Sequence, residues 1–236
     1  MNLFYSKNIK NKTISLSKNE SHHCINVFRN NIGDNISVLD GNGNEYTCEI
    51  IDFHNKEAKV EIIKTKTFSK NFRYLHLIIS PTKSKDRIEW FVEKSTEIGV
   101  DKISFIKTER TERSKINMDR INKIAISAMK QSGQHYLPDI YNIASFNNTL
   151  LENTNEDQLF IAHLNDKSTE HLANLYTSQS SCCILIGPEG DFTKDEVDIA
   201  VNSKFIPISL GSSTLRTETA GIYALSIINT LNESRP

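Results

Sequence analysis

Arg216 and Glu218 stand two residues apart in Leu215-Arg216-Thr217-Glu218-Thr219-Ala220, where a glycine-containing loop gives way to an apolar helical pattern. A guanidinium and a carboxylate so placed can serve a proton transfer. The arginine stabilises negative charge that develops on a substrate, and the glutamate orients the arginine or accepts the proton. A plain helix start explains part of the stretch, since Thr217 or Thr219 can cap and Glu218 is favoured at the positive end of the helix dipole. It does not explain Arg216, whose charge is unfavourable there and which therefore points to an anionic partner. A second loop, Gly187-Pro188-Glu189-Gly190-Asp191, lies upstream. Gly187 lets the chain turn directly after an apolar strand, Pro188 fixes one φ, and Gly190 leaves backbone N–H groups uncovered. Thr193 followed by Glu196 reads as a capping box that starts the next helix.

Both loops begin as a strand, break at glycine and restart as a helix. They are therefore expected at the same edge of a parallel sheet, where α/β proteins bind ligands. From Tyr74 onward strand and helix patterns alternate: strands at 74–80, 102–107, 158–163, 182–186 and 205–210, helices at 85–98, 117–132, 167–176, 194–203 and 218–231. Ile88, Phe91, Val92, Ser95 and Ile98 share one face of the first of these helices, with Gly99 as its stop, and Ile121, Ala125, Ala128 and Met129 do the same before Gly133. Residues 152–158 read as a polar surface loop. Residues 1–72 are strand-like instead, with strands expected at 13–17, 35–39, 45–52 and 58–64, a short helix at 22–30 and a hairpin turn at Asp40-Gly41-Asn42-Gly43. The pattern predicts a small β-barrel over 1–72 and an α/β domain over 73–236.

The formal net charge of −1 conceals an asymmetry. Residues 1–75 carry 11 basic against 8 acidic side chains (+3), residues 76–130 carry 12 against 8 (+4), and residues 131–236 carry 5 against 13 (−8). A basic front section beside an acidic one suits a protein that holds a polyanion with one region and a cationic small molecule with another. No apolar run is long enough to span a bilayer, and the polar stretch from Met1 to Lys12 is unlike a secretory signal, so a cytoplasmic location is expected. Cys24, Cys48, Cys182 and Cys183 form no Cys-x-x-Cys pair and the seven histidines lack ligand spacing, so no metal site is expected. Dinucleotide and phosphate-binding glycine loops are absent, which disfavours nicotinamide and ATP chemistry.

The two loops, together with His23 to Arg29 and Gly33, the hairpin at 40–43, Lys94 to Val100, and Gln131-Ser132-Gly133 followed by Pro138, resemble the RsmE family over nearly the whole chain. These are bacterial methyltransferases of the knotted SPOUT class that modify one uridine base of 16S ribosomal RNA. The resemblance implies a PUA-like RNA-binding domain at 1–72, a SPOUT domain at 73–236 with a deep trefoil knot over about 160–236, and a homodimer. It implies S-adenosylmethionine as methyl donor, bound through His163, Leu185, Gly187, Pro188, Glu189, Gly190, Leu210, Gly211, Thr214 and Leu215, with methyl transfer to the uracil N3 served by Arg216 and Glu218. Arg29, Lys83, Lys85, Arg87, Arg110 and Arg113 become expected contacts to small-subunit ribosomal RNA. Two residues depart from the family pattern: Asp191 stands where a second glycine is usual, read as a helix cap, and Gln134 where an arginine is usual. A ribose 2′-O methyltransferase of the same fold, a non-catalytic RNA-binding protein and a nucleotide-binding regulator are the alternatives.

Overall fold

The computed structural model describes residues 3–54, 57–70, 73–147, 156–164 and 169–234. The chain divides into two units, Met1–Lys70 with Met129–Leu137, and Asn71–Ala128 with Pro138–Pro236. In the first unit, β1 (Leu3–Tyr5), β2 (Ile9–Lys10), β3 (Thr13–Ser15), β4 (Asn35–Leu39), β5 (Asn44–His54) and β6 (Glu57–Thr67) form one sheet in the order β1-β4-β5-β6-β3-β2. Inward residues from five of these strands, Phe4, Ile14, Ile36, Val38, Ile50 and Val60 among them, meet in one core, so the sheet must curl around it. Ser6 draws β1 toward β3, because its N–H donates to the Leu39 carbonyl and its hydroxyl to the Ser15 carbonyl. At the hairpin, Gly41 and Gly43 adopt φ of +74° and +91°, and the Asp40 carboxylate accepts from the N–H groups of Asn42 and Asn44. The short helix α1 (Lys18–His22) starts earlier than expected and runs into a π-helical turn over His23–Val27. Its start is set by Ser17, whose hydroxyl accepts from the Glu20 N–H. The segment 129–137 joins this unit through Tyr136, which donates to the Phe68 carbonyl at 2.7 Å, and Lys130, which pairs with Glu20 at 2.5 Å.

The second unit is built on β7 (Leu75–Ile79), β8 (Lys102–Lys107), β9 (Asp139–Ser145), β10 (Gln158–Ala162), β11 (Cys182–Ile186) and β12 (Ile206–Ile208), all parallel, in the order β12-β10-β11-β7-β8-β9. Its helices are α2 (Lys85–Ile98), α3 (Met118–Ser132, which ends in the first unit), α4 (Leu172–Leu175), α5 (Lys194–Asn202) and α6 (Thr217–Ser234). β7 and β11 are buried on both faces, as strands at the centre of a helix-covered parallel sheet must be. The expected strands are present, and β9 is an additional one. The helix expected at 167–176 is the shorter α4, and residues 167 and 168 lie outside the described residues, as do residues 152–155 of the expected loop. α2 stops where Gly99 turns left-handed at φ +93° and Val100 donates back to the Ser95 carbonyl. Among the described residues no helix is long and apolar enough to cross a membrane.

All four cysteines are buried and unpaired. Burial pushes the Cys48 thiol up to about 12 and raises those of Cys24, Cys182 and Cys183 as well. Because the thiolate is the reactive form, the native protein is expected to leave all four unmodified by Ellman's reagent, whereas a denatured sample titrates all four. A native sample that reacts at once would show that a core strand opens easily.

Candidate active site

The parallel sheet sends three turns out of one edge, after β10, β11 and β12. β10 lies between the two strands that carry the glycine loops, so the loops are not strand neighbours. They meet above it. The Thr217 hydroxyl, at the first position of α6, donates to the Gly187 carbonyl at 3.0 Å, and both residues are buried. The third turn is tied in by Asp191, whose carboxylate accepts from the Leu164 N–H at 3.0 Å and from the Phe192 N–H at 2.8 Å. Sequence reasoning gave Thr217 only a capping role, and its partner lies 30 positions away in the chain. Thr217→Val keeps the shape but strands a buried carbonyl, which costs about 1–3 kcal/mol. The expected outcome is weaker binding of any ligand held by both loops, read by calorimetric titration.

The capping box reading at Thr193 holds: its hydroxyl accepts from the Glu196 N–H, and the Glu196 carboxylate accepts from the Thr193 N–H. The other Glu196 oxygen accepts from the Glu109 N–H at 2.8 Å, so this buried side chain also holds the turn after β8 against the turn after β11. Arg110 reinforces that junction. Its guanidinium donates to the Gly190 carbonyl at 2.6 Å, and a Cβ on Gly190 would lie 3.3 Å from the arginine Cδ. A side chain at 190 would press on Arg110, while Gly190 itself stays exposed. Arg113 is spent likewise, donating to the carbonyls of Thr82 and Lys83. Arg87 faces Glu218, Nε to Oε1 at 3.5 Å. Three of the expected RNA contacts thus face protein acceptors as well. Lys83 pairs with Glu112 at 2.9 Å and Lys85 with Glu89 at 3.7 Å, both with exposed ammonium groups that such surface pairs hold only weakly. Arg29 belongs to the first unit, is exposed, and adopts φ +56°.

The Leu185 side chain is fully buried. The residue sits in register between Ile161 and Ile78 inside the sheet, and its side chain joins the core with Phe192 and Ala200. Gly187 and Pro188 are buried at the strand exit, and the Glu189 carboxylate accepts from the Lys83 N–H at 3.0 Å. His163, Leu210 and Leu215 are half-buried, whereas Gly211, Thr214 and Arg216 are exposed. The Ala220 N–H donates to the Arg216 carbonyl at 2.7 Å, so Arg216 occupies the N-cap position of α6, where its side chain can satisfy no helix N–H. Among the described residues no ion pair joins Arg216 to Glu218. Glu218 is 6% exposed, and its Oε2 is buried with no hydrogen-bond partner.

A family profile described as an RNA methyltransferase domain matches residues 69–229, and one described as an RNA methyltransferase PUA domain matches residues 16–63. The "Ribosomal RNA small subunit methyltransferase E" of Buchnera aphidicola subsp. Acyrthosiphon pisum is 31% identical, over 97% of this chain and 98% of that protein. The chain belongs to the RsmE family. Two solved structures are similar along their whole length. A probable rRNA-methyltransferase from Porphyromonas gingivalis is 36% identical with TM-score 0.92, covering 100% of both chains. A "Ribosomal RNA small subunit methyltransferase E" from Neisseria gonorrhoeae, bound to S-adenosyl methionine, is 28% identical with TM-score 0.84, covering 98% of both.

Of the two departures from the RsmE pattern, Asp191 has a local explanation and the Gln134 side chain has none. Asp191 adopts φ +60°, a left-handed conformation that glycine takes freely and aspartate tolerates when its side chain bonds nearby backbone. It is therefore not the helix cap, a role that Thr193 fills. Gln134 follows Gly133, at φ +71°, and its N–H reaches back to the Met129 carbonyl to end α3. One further grouping lies deep in this RsmE member: His76, Glu156 and Cys183 bring potential metal-ligand atoms within 4.8 Å of one another. His76 Nδ1 faces the Glu156 carboxylate and Nε2 faces the Ser104 hydroxyl, each at 2.9 Å. Burial lowers the His76 pKa and keeps the ring neutral, and a carboxylate only accepts, so Nδ1 carries the proton and Nε2 accepts from Ser104. Both ring nitrogens thus face protein groups.

Proposed function

We propose that this chain transfers the methyl group of S-adenosylmethionine to N3 of one uridine in the 16S ribosomal RNA of the small subunit. The observation that carries the reading is the buried Thr217–Gly187 hydrogen bond, which ties the two glycine loops together at the edge of the sheet where α/β proteins bind ligands. The residues there fit the donor. Gly211, at φ +113°, has nothing within 4 Å of where a Cβ would stand, which leaves open space beside the half-buried Leu210 and Leu215 for a flat ring. Glu189, Asp191 and Glu218 supply carboxylates on an edge that also carries arginines, and a sulfonium would favour the neighbourhood of the former. The donor supplies an activated methyl group, and everything else falls to the chain: it excludes water, fixes the uracil in line and manages the N3 proton. Arg216 stabilises the negative charge that develops on the uracil oxygens, and Glu218 acts beside it.

The same reading places RNA on the basic first unit and on Lys83 and Lys85, with a homodimer in the cytoplasm and a trefoil knot over about 160–236. Mass analysis of nucleosides from small subunits and from naked 16S RNA, before and after treatment with protein and donor, tests it. N3-methyluridine is expected. A ribose-methylated nucleoside would establish the 2′-O alternative, and donor binding without any product would establish a non-catalytic RNA-binding protein. RNA affinity is expected to fall steeply with added salt, since phosphate contacts release counterions.

A further inference from the structure

We propose that Arg87 is the positioning residue of this site, holding Glu218 by its Oε1 so that Oε2 receives the uracil N3 proton. The inference rests on the methyl-transfer reading above and decides the role that the sequence leaves open for Glu218. Its side chain is 7% exposed, one oxygen lies 3.5 Å from Arg87 Nε, and the other is buried with no partner. A buried carboxylate oxygen without a partner is costly, and one that persists beside a reaction site has a reason to be kept vacant. Arg110 and Arg113 of the same edge donate to the carbonyls of Gly190 and Thr82, and among the described residues no ion pair joins Arg216 to Glu218, so Arg87 is the cation that faces it.

The pairing is built into the contact between α2 and α6. Arg87 and Phe91 are four apart on one face of α2, and Glu218 and Gly221 are three apart on one face of α6. Gly221 has no side chain where Phe91 lies, and a Cβ there would fall 2.7 Å from the Phe91 ring. The ring seats against the bare helix backbone, and one turn away the guanidinium meets the carboxylate. In the reaction the N3–H bond breaks as Oε2–H forms, and the N3 electron pair bonds to the methyl carbon. The methyl–sulfur bond breaks with its pair left on sulfur. Glu218 then releases the proton to water as the neutral methylated uracil leaves.

Initial rates of methyl transfer to small subunits, with donor affinity by calorimetry, test the assignment in the full-length chain carrying Arg87→Gln, Arg87→Lys, Glu218→Gln or both Arg87→Gln and Glu218→Gln. Arg87→Gln is expected to lower kcat about ten- to a hundredfold, within the range of a general base made less effective, with KM for the subunit nearly unchanged. Arg87→Lys recovers part of the rate, and the double variant is no slower than Glu218→Gln, because Arg87 acts only through that carboxylate. A raised KM with unchanged kcat would return Arg87 to RNA binding and overturn the proposal, as would losses that multiply in the double variant. A wild-type chain that forms no N3-methyluridine would strike the methyl-transfer reading itself, and is distinguished by its failure before any variant is compared.

Discussion

Arg216→Ala is expected to bind S-adenosylmethionine as the wild type does and to lose methyl transfer by about a hundredfold or more, the loss seen when one donor aimed at developing charge is removed. The expectation follows from what Arg216 does not do for the fold. Its side chain is exposed and sits at an N-cap, a position served by serine, threonine, aspartate or asparagine and gaining nothing from a guanidinium. Its removal should therefore change stability by no more than about 0.5 kcal/mol. Arg216→Lys keeps the charge and discards the planar fork, so intermediate turnover is expected if two uracil oxygens or an oxygen and a phosphate are held together. Turnover by quench and nucleoside analysis, beside calorimetric titration of the donor, reads both halves. Wild-type turnover in Arg216→Ala would remove the residue from the reaction, and lost donor binding would move it from the uracil to the cofactor.

The parts of this chain that can be read from sequence are those bounded by local chemistry. α2 spans Lys85–Ile98 as its periodicity predicts, because Gly99 supplies a left-handed stop. β11 spans Cys182–Ile186 because a short apolar run between polar turns can hardly be anything but a buried strand. β9 escapes for the opposite reason: Asp139–Ser145 forms the sheet edge beside β8 and is mostly exposed, so it carries no buried run. β1 is three residues long and is defined by its pairing to β4 rather than by pattern. At the site, the residue types Arg216 and Glu218 are legible, whereas the partners are not. Arg87, Arg110 and Arg113 have the same chemistry whether the acceptor is a phosphate, a carboxylate or a carbonyl. The acceptors that claim them come from segments 30 to 131 residues away, a fact of topology and not of local sequence. The full burial of the Leu185 side chain is likewise not legible, since nothing in Cys182–Ile186 says which residue emerges from the sheet and which stays within it.

Gly221→Val is expected to destabilise the protein by about 2 kcal/mol and to lower Tm by about 4–8 °C, measured by thermal unfolding of the full chain. Taken alone the exchange favours the helix, because valine is a better helix former than glycine by a few tenths of a kcal/mol. Packing outweighs this. A Cβ at 221 would stand 2.7 Å from Phe91 Cε2 and 3.3 Å from Ile79 Cδ1, and both neighbours are almost fully buried, so neither can swing aside without disturbing the core. The relief available is for α6 to move off α2, which separates Arg87 from Glu218 and pulls Thr217 from the Gly187 carbonyl. Activity should accordingly fall further than stability alone explains, even at temperatures where the variant is fully folded. Adding Phe91→Leu gives the new methyl groups room, so the double variant should be more stable than the sum of the two single losses by at least about 0.5 kcal/mol. Strictly additive losses would mean that the Phe91 ring does not set the distance between the two helices, and with it the geometry of the carboxylate.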